Sequence, residues 1–310
     1  MKWEKCGKIF DCNTFELSWF KKNAIMPVPY ILNKETLRLF VTLCDEDNIG
    51  RIGYVDVCID DPGKIVGISK QPIIDIGNSG YYDDNGVVTA SIFEAKDNLY
   101  LFYSAFQLCK KIPYMIFSGA AVSHNKGNSF EKIFPDIPML DRISGECNFR
   151  SVPNIIKHGT KYKMWYLADD KRSSWLNLNN KLVPRYTTRY MESDSLLQWD
   201  KAGEVVLDIA NDDEYGLSIS SIWYENEIYK CIYSIRSRLK GYRLGYAVSK
   251  DGKFFERKDN ELNLDVTPDA FDSDMMCYAK RIEANGQVYL FYSGNHYGLG
   301  GIGYAKEARE

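Results

Sequence analysis

Carboxylates recur at comparable places along this chain: Asp83-Asp84, Glu146, Glu214, and Asp272 with Asp274 each stand just ahead of an apolar or β-branched run. Side chains converging on one cavity from such positions would supply one protonated acid for a leaving oxygen and one ionised group as base or nucleophile. That pair is what cleavage of a glycosidic bond requires. Crowding like charges raises some of their pKa values and so separates the two roles. Taken singly, each acid has a competing explanation, because Asp and Asn commonly cap turns through their own backbone. Arg150 can bind a substrate carboxylate, phosphate or hydroxyl, or else neutralise the neighbouring acids. Arg185 and Tyr186 follow a long loop, 169–183, of the kind that shapes pockets. Trp175 in that loop would stack on a sugar ring or pack on its own sheet. Asn295 and His296 lie in a later loop, from which His296 either reaches the same pocket or faces solvent.

A repeat must position these residues. Aromatic strands recur at roughly 60-residue spacing, at 37–41, 99–103, 162–166, 228–233 and 288–292. In the second unit a β-branched run at 87–93, a turn, and strands at 99–104, 116–123 and 129–133 read as four antiparallel strands. The fourth unit repeats this at 219–224, 228–235, 242–249 and 254–257, with the hairpin signal Asp251-Gly252 before its last strand. Four antiparallel strands per unit predict a propeller blade. The chain is therefore expected to be all-β, a five-bladed β-propeller forming one domain over 1–310. The fifth unit ends early, which predicts that 7–12 supplies its missing strand and closes the ring. No amphipathic helical stretches separate the strands, which argues against an α/β barrel.

In a propeller the inner strand of each blade starts beside the axis. Residues just ahead of it are expected to line one mouth: 23–27, 83–86, 146–150, 213–216 and 272–275. Units two to five carry an acid there, and unit one does not.

A net charge of −3, from 39 basic and 42 acidic residues, gives no basic footprint for nucleic acid and no polybasic membrane patch. The segment Met1-Lys2-Trp3-Glu4-Lys5-Cys6 lacks the apolar core of a signal peptide, and no stretch is long enough for membrane insertion. A cytoplasmic location is expected. The 8 cysteines are scattered without a CxxC pair and read as reduced thiols. The 3 histidines, His124, His158 and His296, are too widely separated to suggest a metal site. No motif calls for a cofactor.

Several segments resemble the five-bladed propeller glycoside hydrolases (family 43/32-like), the superfamily of arabinanases, xylosidases, invertases and mannoside phosphorylases. They are 26–29 with 51–56, 82–87, Met164-Trp165-Tyr166, Pro184-Arg185-Tyr186, 245–252, and 272–275 through Gly294-Asn295. Over essentially its whole length the chain also looks like largely uncharacterised bacterial relatives encoded with surface-polysaccharide genes. The resemblance implies an acidic base or nucleophile in blade one, a second aspartate in blade two corresponding to Asp83 or Asp84, and a glutamate acid in blade three corresponding to Glu146. Blade one has no match, since Asn23, Met26 and Pro27 occupy its start. The leading expectation is a carbohydrate-active enzyme that cleaves or transfers a glycosyl unit of a small-molecule or oligosaccharide substrate. Glu146 would be its acid, Asp84 or Asp83 the ionised partner, and Asp274 or Glu214 a substitute base. Arg150, Arg185, Tyr186 and Asp274 would hold substrate, with Glu214, Asp272, Trp175, Asn295 and His296 around them. Phosphorolysis, or a catalytically silent propeller that binds a glycan or a partner, are the alternatives.

Overall fold

The computed structural model describes residues 1–308. The first four-stranded unit comprises Ala24–Ile31, Thr36–Cys44, Gly50–Cys58 and Ile65–Ile68, and the second Val87–Ala95, Asn98–Leu108, Tyr114–Ser123 and Glu131–Lys132. The third is Arg150–His158, Lys161–Asp169, Tyr186–Ser193 and Glu204–Leu207, and the fourth Glu214–Glu225, Ile228–Ser237, Gly241–Ser249 and Glu256–Arg257. The last joins Cys277–Ala284, Gln287–Ser293 and Ile302–Glu307 to Trp3–Phe10 from the other end of the chain. Pairing within each unit is antiparallel, as hairpin connections allow. The edge that the early end would expose is thus covered, by a strand that begins at Trp3, four residues before the expected start.

Second strands such as Thr36–Cys44 are buried almost throughout, because each sheet is covered on both faces. Separate apolar layers fill the gaps between successive units, and one of them packs Leu37, Leu39 and Val41 of the first unit against Tyr289, Phe291 and Ile302 of the last.

The first strand of every unit carries a β-bulge, between Ile25 and Val28, Thr89 and Ser91, Ser151 and Asn154, Ile219 and Ser221, and Cys277 and Lys280. A bulge leaves an amide without a ladder partner. Here a hydroxyl of the preceding unit accepts it: Thr42 from Thr89 N at 2.9 Å, Ser104 from Val152 N at 3.3 Å, Thr188 from Ile219 N at 3.2 Å, and Ser234 from Tyr278 N at 2.9 Å. Ser293 of the last unit accepts from Met26 N of the first at 3.1 Å. These bonds hold all the first strands side by side.

The 169–183 segment is more ordered than a loop. Trp175–Leu178 pairs with Lys181–Pro184, and Asn179 and Asn180 turn the chain with φ of 50° and 62°. Asn tolerates that left-handed conformation, so an Asn-Asn pair makes the tight turn that Asn-Gly more usually signals. No helix among the described residues is long and apolar enough to cross a membrane.

Candidate functional site at the axial mouth

The repeated carboxylates do not meet. Asp83, Glu146, Glu214 and Asp272 are each drawn into their own unit and paired with a cation there, and all but Glu214 lie beside a tyrosine of the second strand. Asp83 is fully buried and takes Lys132 Nζ at 2.6 Å, beside the Tyr82 and Tyr103 hydroxyls, which bond each other at 2.8 Å. Glu146, also fully buried, accepts from the Tyr166 hydroxyl at 2.8 Å and pairs with Arg150 at 2.7 Å and Arg189 at 2.9 Å. Asp272 accepts from Lys5 at 2.6 Å and from the Tyr292 hydroxyl at 3.0 Å. Glu214 is gripped by both Arg257 terminal nitrogens at 2.7 and 2.8 Å, while the Tyr233 hydroxyl turns to Asp259 instead. Burial works to raise the Glu214 carboxyl, but Arg257 and the Ala210 amide outweigh it and hold the carboxyl below its ordinary value.

The register explains why acid and tyrosine travel together. Tyr103, Tyr233 and Tyr292 each face a glycine across the ladder, Gly119, Gly245 and Gly303. A Cβ at Gly119 would come within 2.2 Å of Tyr103 Cζ, so the glycine makes room for the ring. In the third unit Arg189 stands opposite Tyr166 and sends its guanidinium to Glu146. In the first unit the tyrosine's position is Val41, opposite Gly53, and the space over that glycine is filled by Trp19. With no hydroxyl to satisfy, that unit needs no acid.

The remaining expected site residues scatter. Asp84 accepts the Gly80 amide at 2.8 Å within a turn. Arg185 pairs with Asp170 at 3.2 Å. Asn295 Oδ1 accepts the Asp274 and Met275 amides at 2.7 and 3.1 Å, which fixes the loop that carries Asp274. His296 and Asp274 are both exposed, with Nε2 3.8 Å from Oδ2. Asn23, at the acid-free start of the first unit, donates to the His296 and Tyr297 carbonyls at 2.7 and 3.2 Å.

Trp175 and Tyr186 do come together, at the bulged end of the first strands. Met26, Ala90, Phe149, Val152 and Tyr186 form an apolar floor there, flanked by Trp175, Tyr114 and Tyr278. Trp175 lies 5.1 Å from Phe149 and 5.5 Å from Tyr114, ring centre to ring centre. The Tyr186 and Tyr242 hydroxyls bond at 2.9 Å, with the Tyr278 hydroxyl 3.5 Å from Tyr242. Burial raises all three tyrosines, with Arg236 pulling the first two back. They stay protonated at neutral pH and can donate. Arg236, at the end of Ile228–Ser237, lies 4.5 Å from the Tyr215 ring centre and 5.5 Å from those of Tyr186 and Tyr242. Its cross-strand neighbour is Gly216, where a Cβ would meet Arg236 Cδ and Tyr186 Cε2 at 2.9 Å.

Arg236, Tyr114, Tyr242 and Tyr278 are absent from the expected set, whereas Phe149 falls within the 146–150 segment expected at the mouth. A signal for Arg236 is present in the repeat: it stands three residues past the tyrosine of its second strand, where Asp169 and Asn295 are also polar.

Midway along the first strands, immediately past the bulges, a cavity of about 130 Å³ takes residues from all of them, including Pro29, Ser91, Asn154, Ser221 and Lys280. Lys280 Nζ donates to Asn154 Oδ1 at 2.8 Å, and burial lowers its pKa to about 7.

No protein-family model matches the chain. Two proteins of Mycobacterium tuberculosis do: uncharacterized protein MT1551 of strain CDC 1551 / Oshkosh and uncharacterized protein Rv1502 of strain ATCC 25618 / H37Rv. Each is 30% identical over 307 residues, spanning 98% of this chain and 99% of its own. Among solved structures, BT0996 in a complex with RGII superposes with a TM-score of 0.70 at 14% identity, covering 99% of this chain and 93% of that one. A thermostable family-43 glycoside hydrolase gives 0.67 at 14%, over 94% and 92%. A member of the GH130 family of mannoside phosphorylases, which contains glycoside hydrolases that target β-1,2 mannosidic linkages in Candida mannan, gives 0.66 at 14%, over 99% and 90%. At such identities the likeness is one of fold. The chain belongs to the family of the two mycobacterial proteins, and its fold is that of the propeller glycoside hydrolases.

Proposed function

We propose that the chain is a closed five-bladed propeller whose axial mouth recognises a carbohydrate, an oligosaccharide or an activated sugar. The cyclic run of hydroxyl-to-bulge bonds and the pairing of Trp3–Phe10 with Ile302–Glu307 support closure. The observation that carries the function is the mouth itself, where the half-buried Trp175 and Tyr114 rings, backed by the fully buried Phe149, meet the Tyr186 and Tyr242 hydroxyls. A sugar offers apolar C–H faces to the first group and hydroxyl edges to the second. A cytoplasmic setting and a place in surface-polysaccharide metabolism fit this reading.

Glycosidic cleavage needs two carboxyl groups flanking one bond, and Asp83, Glu146, Glu214 and Asp272 are committed inside separate units. That favours recognition over carboxylate catalysis. A second reading keeps an enzymatic step, because Asp274 is exposed on a loop beside Tyr297, whose ring packs on Tyr242 at 5.5 Å. Incubation with nitrophenyl glycosides, nucleotide sugars and oligosaccharides, with and without phosphate, tests both. Recognition predicts saturable binding abolished by Trp175→Ala, with no product. A product lost in folded Asp274→Asn would establish the enzymatic reading instead. If Glu146→Gln stayed fully folded and alone stopped turnover, the structural assignment of the in-blade acids would be wrong.

A further inference from the structure

Arg236 is 6 % exposed, yet among the described residues its guanidinium has no ion pair. Its one hydrogen bond runs from Nη1 to the Pro184 carbonyl at 3.0 Å, and Nε is buried without a partner. Arg150 and Arg189 also leave Nε without a hydrogen bond, but every other buried arginine has a carboxylate counter-ion, Arg38 with Asp56 at 2.8 Å, and Arg150 and Arg189 with Glu146 at 2.7 and 2.9 Å, so the missing ion pair is what sets Arg236 apart. Burying a cation without a counter-ion is unfavourable unless something else offsets it. The ring faces of Tyr186, Tyr215 and Tyr242 offset part. The Nε side of the fork, where a carboxylate or phosphate binds through two parallel N–H···O bonds, is left over.

We propose that Arg236, with the Tyr186 and Tyr242 hydroxyls beside it, is the receptor for an oxyanion carried by the bound sugar, either a uronate carboxylate or a phosphate ester. This rests on the mouth being the carbohydrate site and specifies which carbohydrates it takes. Tyr186 and Tyr242 contribute neutral donors, so the added anion meets no negative charge from them. Gly216 belongs to the same construction, since a side chain there would displace both Arg236 and Tyr186.

Calorimetric titration with glucose, glucuronate and glucose 1-phosphate tests it on the wild type and on Arg236→Met, Arg236→Lys and Trp175→Ala. One of the anionic sugars should bind about 10- to 100-fold more tightly than glucose, the range expected for a hydrogen bond to a charged group. Which one does identifies the anion. Arg236→Met should erase that preference while leaving the unliganded melting temperature unchanged or higher, since it removes an uncompensated buried charge. A structural arginine would instead lower it. Should Arg236→Met fail to fold, Arg236→Lys carries the test, because it keeps the charge and loses the fork. Equal binding of glucose and both anions, with sensitivity to Trp175→Ala, would overturn the anion receptor and leave the carbohydrate mouth standing. No binding of any sugar and no effect of Trp175→Ala would remove both.

Discussion

Replacing Lys280 with methionine should reveal a buried charge through its pH dependence. A fall from 10.5 to about 7, at about 1.4 kcal/mol per unit, puts the cost of burying the ammonium on the order of 5 kcal/mol. The unfolded chain holds this proton to about pH 10.5, whereas the folded one releases it near 7. Between those values the unfolded state binds more protons, so this lysine's contribution makes stability rise with pH. Below pH 7 both states are protonated and the full cost applies; above 10.5 both are neutral and it vanishes. The methionine side chain does not titrate. The advantage of Lys280→Met over the wild type should therefore shrink by about 3 kcal/mol between pH 6.5 and 9.5. Asn154 Oδ1 loses its donor in the variant, a pH-independent cost of about 1–3 kcal/mol that a water in the vacated cavity would reduce. That cost moves the whole curve and leaves its slope alone. Arg281, the other cation lining the cavity, is common to both proteins and cancels. Urea unfolding at several pH values measures the difference. Parallel wild-type and variant curves would refute a buried, largely unmatched ammonium.

Asp272→Ala should cost about 2–4 kcal/mol in urea unfolding, because the Tyr292 hydroxyl loses its acceptor and Lys5 its counter-ion, keeping only Thr267 Oγ1; an unchanged midpoint would mean that this acid does not hold its unit together. Gly119→Ala should lower stability by about 3 kcal/mol, since its Cβ would fall 2.2 Å from Tyr103 Cζ, and calorimetry reads this as a drop in melting temperature. Phe10→Ala should cost about 3–5 kcal/mol, as much as Phe291→Ala, because both rings are fully buried in one apolar layer. A loss below about 1 kcal/mol would show that Trp3–Phe10 is dispensable to the last unit.

The architecture was legible because hairpin spacing and strand composition are local properties, and an early end to the last repeat announces a borrowed strand. The site was legible only in part. Loop length and aromatic type single out Trp175 and Tyr186 in the sequence, and the structure brings the two together. The sequence makes Asp83, Glu146, Glu214 and Asp272 look convergent because a strand's start is one-dimensional information, while the direction a side chain takes from it depends on its partners. Some of those partners lie far away in sequence, Lys132 49 residues from Asp83 and Lys5 267 from Asp272, whereas Arg150 neutralises Glu146 from four residues away, one of the two roles its position in the sequence allows. The absence of an acid at the start of the first unit has the same dependence on a partner. Val41, in the place of a tyrosine, was the available clue.

The repeat separates what holds the propeller together from what distinguishes its parts. Tyrosine, facing glycine and buried acid tend to occur together, with Arg189 replacing the glycine in one unit and the whole set giving way to Val41 and Trp19 in another. Substitution within such a set must be concerted, since an acid without its hydroxyl and cation would be a buried uncompensated charge. Three residues past the tyrosine no such constraint operates, and the chain places Cys44, Phe106, Asp169, Arg236 and Asn295 there. Phe106 packs on Tyr114 at 5.4 Å, Asp169 spends its carboxylate on the Asn148 and Phe149 amides, and Asn295 fixes the Asp274 loop. Each of these builds the mouth from a different unit. Arg236 alone among them keeps a buried, charged donor without an acceptor, so on the proposed reading selectivity for an anionic sugar resides there, while the buried acids hold together the sheet units around it.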